Sequence, residues 1–402
     1  MRIAYITDTR EIGGAERYLA NLAQEAVASG HEALVLAPQQ ELVAWMARQA
    51  PGARAARAFD DSYHDARTPA RRAGALLALL PGMARSLSSL APDVVHVNNG
   101  GFPGSDLCRI ALTAARLAGV DRRVMTVHSN PWPRERLANA RVQAAADRLV
   151  WSSARAVVSP SEAVAEGLER RRGMPPGLGR TIYYGVARAR HDPHTVAALR
   201  KRLAPDGELL VGMVSARAVA EKGYDVFVHA LAAAGQGARG AVVGPPPGDL
   251  YARASAAGLH GRLAIEGPRA NVGDYYAAFD VLAVPSTAEE CMPLVILEAA
   301  SVGTPTFASR LAGIPEAVAD GLSGRLFDPR ASEQLAALVR CAAHDRERAR
   351  AMGRAAAERW LDRFQLDAMA QATFALYGRD THAGHRRHAQ PRAFHRGRQG
   401  RR

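Results

Sequence analysis

The chain has 402 residues and a net charge of +13, with 48% hydrophobic and 23% charged residues. That is about two ordinary domains of chain with enough apolar material for two cores, so fibrous and wholly disordered classes are excluded. Three cysteines, Cys108, Cys291 and Cys341, are odd in number and far apart, which excludes a disulfide framework or a Cys-x-x-Cys metal site and fits a reducing compartment.

Residues 379–402 hold eight arginines and one aspartate, which leaves the rest of the chain at +6. A body of that charge suits anionic ligands such as nucleotides, phospholipid-linked acceptors or a membrane surface. It suits nucleic acid as well, and charge alone does not choose. The tail is rich in Arg, His and Gly and has too few large apolar residues for a core, so it is expected to be disordered. The first residues pass straight into a strand pattern without an apolar signal core. The most apolar stretch, 73–80, is cut off by Pro81-Gly82, well short of a membrane span. A cytoplasmic protein is expected, at most peripheral at the inner membrane face.

Along the chain, short apolar runs alternate with amphipathic helix-length segments. The first predicted strand, 3–8, ends at Asp8, and the loop that follows carries Gly13-Gly14-Ala15-Glu16 before a helix over 15–28. Paired glycines let backbone approach a ligand, and amides at a helix N-terminus favour an anion. The pattern Gly-x-Gly-x-x-Gly is absent, so this loop alone fits a phosphate site and an ordinary turn equally. Further strands are predicted at 32–37, 94–97, 124–128 and 156–159, with helices over 69–89, 104–118 and 137–154. His96 lies in the third of these five strands and His128 closes the fourth. A histidine at a strand's carboxyl end can bond a sugar hydroxyl or do acid–base work; His128 is the favoured functional candidate and His96 stays open. The pattern breaks over the polar segment 188–205, the expected hinge. It restarts with strands at 209–214, 240–243, 263–265, 281–284 and 306–308 and helices over 224–234, 250–257, 294–301, 332–343 and 355–377. Apolar strands separated by helices indicate parallel sheets covered on both faces, and two such halves indicate two Rossmann-like α/β domains. Ligands then belong at the carboxyl ends of strands.

Two segments of the second half carry the strongest chemistry. Arg217-x4-Lys222-Gly223 follows the strand at 209–214 and opens a helix; a guanidinium fork and a point charge suit a diphosphate. Pro285-Ser286-x3-Glu290-Cys291-Met292-Pro293-Leu294-x3-Glu298 follows the strand at 281–284. Pro293 suits a first helical turn, which would aim the amides of Met292, Leu294 and Val295 at a cleft. Glu298 lies in an apolar helix and demands a partner.

The ordered set, Gly13, Gly14 and Glu16, then His128, then Arg217 and Lys222, then Glu290-x7-Glu298 with Gly303-Thr304-Pro305 and Gly313-Ile314-Pro315-Glu316, resembles the GT-B retaining glycosyltransferases of family 4, the glycosyl transferases of group 1. The resemblance covers nearly the whole chain to about Tyr377. It implies an α/β GT-B fold, with an acceptor domain at 1–187 and a nucleotide-sugar donor domain at 188–360 facing across a cleft. It further implies a helix at 361–378 returning to the first domain, ahead of the basic tail 379–402. Gly14 would let backbone near the donor phosphate or the acceptor, His128 would contact the donor sugar, and Arg217 and Lys222 would neutralise the departing diphosphate. Glu290 would touch the sugar, Glu298 the ribose and Met292 to Val295 the phosphate, while Gly267-Pro268-Arg269 would cup the base. Three departures stand out: Tyr184-Gly185-Val186 in place of Asn-Gly-Val, Cys291-Met292-Pro293 in place of the frequent Gly-Phe-Gly, and Ala312 in place of the first of two glycines.

By this resemblance the activity is retaining transfer of a sugar from a nucleoside-diphosphate sugar to a carbohydrate or lipid-linked acceptor, metal-independent and without a cofactor, in glycan, polysaccharide or glycolipid synthesis. The acceptor would be met by first-domain loops at 57–68 and 98–105. A nucleotide-sugar epimerase or hydrolase on the same fold is the alternative. A nucleic-acid-binding protein acting through the tail is a third reading, and no nucleic acid is expected.

Overall fold

The computed structural model describes residues 1–60, 69–133 and 140–378, with the side chains of 69–73 left aside. The basic tail 379–402, most of the loop 57–68 and the start of the helix predicted over 137–154 lie outside the described residues.

Two all-parallel sheets form the frame. The first contains β1 (Arg2–Thr7), β2 (Glu32–Ala37), β3 (Arg54–Arg57), β4 (Val94–Asn99), β5 (Arg122–Val127), β6 (Ala156–Ser159) and β7 (Gly179–Thr181), in the spatial order β3-β2-β1-β4-β5-β6-β7. The second contains β8 (Leu209–Val214), β9 (Ala238–Val243), β10 (Leu263–Gly267), β11 (Val281–Val284), β12 (Thr306–Ser309) and β13 (Gly324–Phe327), in the order β10-β9-β8-β11-β12-β13. The central strands are runs of Val, Ile, Leu and Ala buried almost throughout, as a sheet covered by helices on both faces requires. Three strands went unpredicted: β3, β7 and β13. All three are sheet edges, and none carries a continuous apolar run, whereas the fourth edge, β10, has one and was expected.

The chain order reverses between β1 and β4 in the first sheet and between β8 and β11 in the second. Such switch points open a crevice at the strands' carboxyl ends, where α/β proteins bind ligands. The sequence motifs fall there. Asp8 and the glycine loop follow β1, Asn98 and Asn99 end β4, Arg217 and Lys222 follow β8, and residues 285–293 follow β11.

The single helix expected over 355–377 is two, Arg346–Arg363 and Leu366–Gly378. The break comes from the hinge. Val186 N–H donates to Phe364 O at 2.9 Å, and Val186 pairs with Gln365 as an isolated bridge. A Cβ at Gly185 would lie 2.2 Å from Gln365 O, so only glycine lets the two inter-domain crossings touch. That pairing draws residues 364–365 out of helical geometry. The last helix then packs on Gly14–Ala28 of the first domain, and its buried Tyr377 meets His96 Nδ1 at 2.5 Å. His96 Nε2 is held by Thr126 at 2.7 Å, so this histidine docks the returning helix and does not face the cleft.

Candidate active site

At the second-domain switch point, a tight turn follows β8. Ser215 Oγ donates to Arg217 O at 2.8 Å, and a short 3₁₀ turn, Ala220–Lys222, leads to Gly223 at φ 77°. A Cβ at Gly223 would lie 1.9 Å from Pro285 O, so glycine lets the loop after β8 press against the loop after β11. Thr287 N–H donates to Glu221 O at 2.8 Å and fixes that contact. Lys222 Nζ is thereby brought to both carboxylate oxygens of Glu290, at 3.0 and 3.1 Å, and the Ser286 hydroxyl donates to the same carboxylate. The Arg217 side chain is 58% exposed and reaches across the cleft to within 3.8 Å of Glu11 in the first domain.

The helix Leu294–Ser301 starts beside this pair. Pro293 is its N-cap and does not lie inside the first turn as the sequence reading placed it. The N–H groups of Leu294 and Val295 donate to no group among the described residues, which leaves two amides and a positive helix end at the crevice. The wall is braced from behind, where Gly313 N–H donates to Glu290 O at 3.1 Å and a Cβ on Gly313 would lie 1.6 Å from Cys291 O. Met292 and Pro293 are buried here. Glu298 has the partner its apolar helix demands, since the Tyr276 hydroxyl donates to its Oε2 at 2.7 Å.

Gly267-Pro268-Arg269 lies at the end of β10, at the sheet edge and apart from this cluster. Gly267 has φ 65°, and Arg269 is tied to Glu266 at 3.1 Å. Hydrogen bonds from Arg202 above all, with Tyr275 and Arg269 assisting, hold the Glu266 carboxyl down to about 2.

Across the cleft, the glycine loop is closed on itself. Gly13 N–H donates to Glu16 Oε2 at 2.8 Å, a cap from the third helical residue, and burial pushes the Glu16 carboxyl up from its ordinary value. Gly14 meets the facing wall of the second domain, with a Cβ built there standing 3.8 Å from Leu294 Cδ1. His128 follows β5 and is buried. Its Nδ1 is engaged by Tyr184 Oη at 2.6 Å and its Nε2 by Asn98 Oδ1 at 2.6 Å, and burial lowers its pKa to about 3. A neutral imidazole with both nitrogens occupied orients its neighbours and has no nitrogen free for acid–base work.

The geometry therefore gathers Gly13, Gly14, Arg217, Lys222, Glu290 and residues 292–295 at two facing switch points. Glu298 lies one turn deeper, His128 beneath, and Arg269 apart. Sequence reading missed the partner roles of Tyr184 and Tyr276, because a contact across elements leaves no local pattern. It also missed Gly244, which has φ 115° and whose Cβ would lie 1.8 Å from Ser215 O; a glycine directly after a strand was the available signal.

Residues 196–359 match the model of "Glycosyl transferases group 1", and residues 12–190 match that of "Glycosyltransferase Family 4". The chain is 30% identical over 332 residues to D-inositol 3-phosphate glycosyltransferase of Xylanimonas cellulosilytica, covering 77% of this chain and 78% of that one. It belongs to glycosyltransferase family 4. A relative of the same name from Segniliparus rotundus is 31% identical over 277 residues, 66% of this chain, and the match spans 60% of that protein's length. The fold is shared with a crystal structure of Anabaena HepE in complex with UDP, at TM-score 0.76 and 21% identity over 93% of this chain and 99% of that one. A glycosyltransferase from Rickettsia africae superposes at TM-score 0.80 with 17% identity, over 94% and 97% of the two chains.

The architecture of this family 4 glycosyltransferase is thus GT-B, two parallel-sheet domains facing across the crevice just described. Side chains also clasp the two domains. Glu316 accepts from the N–H groups of Glu162 and Ala163 at 2.7 and 3.0 Å, at the N-terminus of the helix Glu162–Arg172, and Arg171 grips Glu289 through two bonds at 3.2 and 3.1 Å. No helix among the described residues is long and apolar enough to cross a membrane.

Proposed function

We propose that this glycosyltransferase is a retaining enzyme that takes a sugar from a nucleoside-diphosphate sugar and transfers it to an acceptor hydroxyl. The observation that carries the reading is the meeting, at one switch point, of Arg217, Lys222 and the unpartnered amides of Leu294 and Val295. Together they offer two cations and a helix end to a leaving diphosphate, the charge-stabilising work that a metal does in other transferases. Glu298, fixed by Tyr276, would accept from ribose hydroxyls in this reading. The complex of HepE with UDP supports a nucleotide in this crevice.

In the reaction the C1–O bond to the diphosphate breaks while the acceptor oxygen bonds C1 on the same face, and the acceptor's proton passes to a phosphate oxygen. Glu290 is already held by Lys222 and Ser286, which favours a role in positioning the sugar over one as a nucleophile. The acceptor is assigned to an open cavity of about 440 Å³ at the carboxyl ends of β1 to β3, lined by Thr9, Arg10, Gln39, Glu41 and Arg57 among others. Two guanidinium groups there favour an acceptor carrying an anionic group, in keeping with relatives named for inositol 3-phosphate.

The test is to incubate the full chain with UDP-, GDP- and ADP-sugars and paired polyols, with and without a phosphate. Transfer with the donor's anomeric configuration kept, and faster to the phosphorylated polyol, is expected. Inversion, or loss of the sugar to water alone, would reject the reading.

A further inference from the structure

Two of the departures from the family pattern meet in the structure. Tyr184, where asparagine is usual, lies with its hydroxyl 3.8 Å from Cys291 Sγ in the loop that usually reads Gly-Phe-Gly. The same hydroxyl is 2.6 Å from His128 Nδ1, so one phenol bridges the first domain's strand-end histidine and the second domain's donor wall.

The hydrogen bonds run in one consistent direction. Burial raises the Tyr184 phenol well above its ordinary value and the Cys291 thiol up to about 11, so both keep their protons. Tyr184 O–H then donates to Nδ1 of the neutral imidazole, whose Nε2–H donates to Asn98 Oδ1. The Asn98 amide donates onward to Ala15 O at 3.3 Å and Thr7 Oγ1 at 3.4 Å. The chain ends in the glycine loop. At its other end, Cys291 adjoins Glu290, and its carbonyl is pressed by Gly313. Tyr18 packs edge-on against the imidazole with ring centroids 4.8 Å apart, and Tyr184 is 3% exposed. No lone pair or N–H of the imidazole is left for a sugar hydroxyl.

We propose that Tyr184 determines donor-sugar specificity by locking His128 into this cross-domain relay. The imidazole is thereby withdrawn from sugar recognition, and the choice of sugar passes to the wall at 290–295. The proposal rests on the nucleotide-sugar reading above. Removing the phenol leaves Nδ1 as a buried acceptor without a partner, and a sugar hydroxyl that can reach it then gains an interaction that its epimer does not.

The experiment measures kcat/KM of the full chain for the gluco and galacto forms of the donor nucleotide that the wild type accepts, in Tyr184→Asn and Tyr184→Phe. The expected result is a shift of about tenfold in the ratio of the two donors in the Asn variant. A shift in the same direction is expected in the Phe variant, and adding His128→Gln to Tyr184→Asn should return the ratio toward wild type. Equal slowing with both donors, the mark of a merely structural tyrosine, would overturn the proposal. If the Asn variant does not fold, the Phe variant, which keeps the ring, decides by the same ratio. A wild type that turns over no nucleotide sugar would reject the underlying reading, and the inference with it.

Discussion

Lys222 Nζ lies 3.0 and 3.1 Å from the two carboxylate oxygens of Glu290, across the gap between the loops that follow β8 and β11. The pair is half-buried and joins two loops whose backbones approach closely only because residue 223 is glycine. The lysine is therefore held in place in advance; in the proposed reaction, little reorganisation would be needed as negative charge develops on a diphosphate leaving group. Lys222→Ala should lower kcat by about 10²- to 10³-fold with an unchanged melting temperature. A variant that keeps near wild-type turnover would remove Lys222 from the leaving-group site.

The two buried histidines make a prediction about pH. Burial lowers the pKa of both His96 and His128 from 6.5 to about 3. In the unfolded chain they bind protons near pH 6.5, while in the folded chain they do not. As far as these two groups go, the fold is therefore most stable above that pH and loses stability as pH falls toward 3, where the unfolded chain binds protons that the folded chain does not. Each histidine steepens the loss by about 1.4 kcal/mol per pH unit within that window. Denaturant titrations at pH 7, 6 and 5 should show the decline, and His128→Gln should flatten it. Turnover, by contrast, should show no titration assignable to His128 near neutrality.

The clasp at Glu316 makes a prediction about domain closure. Its carboxylate caps a first-domain helix from the second domain, and a negative charge at a helix N-terminus contributes about 1 kcal/mol. Glu316→Ala should lower the melting temperature by about 2 °C and raise the radius of gyration measured by X-ray scattering. If both stay at wild-type values, the clasp does not hold the domains together.

How much of this was legible in the sequence depended on whether the cause was local. The central strands announced themselves as apolar runs. Arg217, Lys222 and Glu290 stood out because strand-end loops carry charged side chains that a core would exclude, and Glu298 because it is the one carboxylate in an apolar helix. The edge strands β3, β7 and β13 were not found, since each holds charged residues or glycine and too few consecutive apolar residues to read as a strand. The split of the last helix at residues 364–365 was hidden because its cause, the Gly185–Val186 crossing, lies far away in the chain. His128 was seen as a strand-end histidine, but its engagement by Tyr184 and Asn98 depends on three separate elements and leaves no spacing to read.

The central claim is that Arg217, Lys222 and the helix start at Leu294 form a seat for a diphosphate. Calorimetric titration of uridine, guanosine and adenosine di- and monophosphates into the wild type and an Arg217→Ala, Lys222→Ala double variant tests it most directly. The account predicts that one diphosphate binds about 100-fold tighter than its monophosphate, and that the double variant loses most of that difference. Equal affinity for the two in the wild type, or a preference untouched by removing both cations, would contradict it.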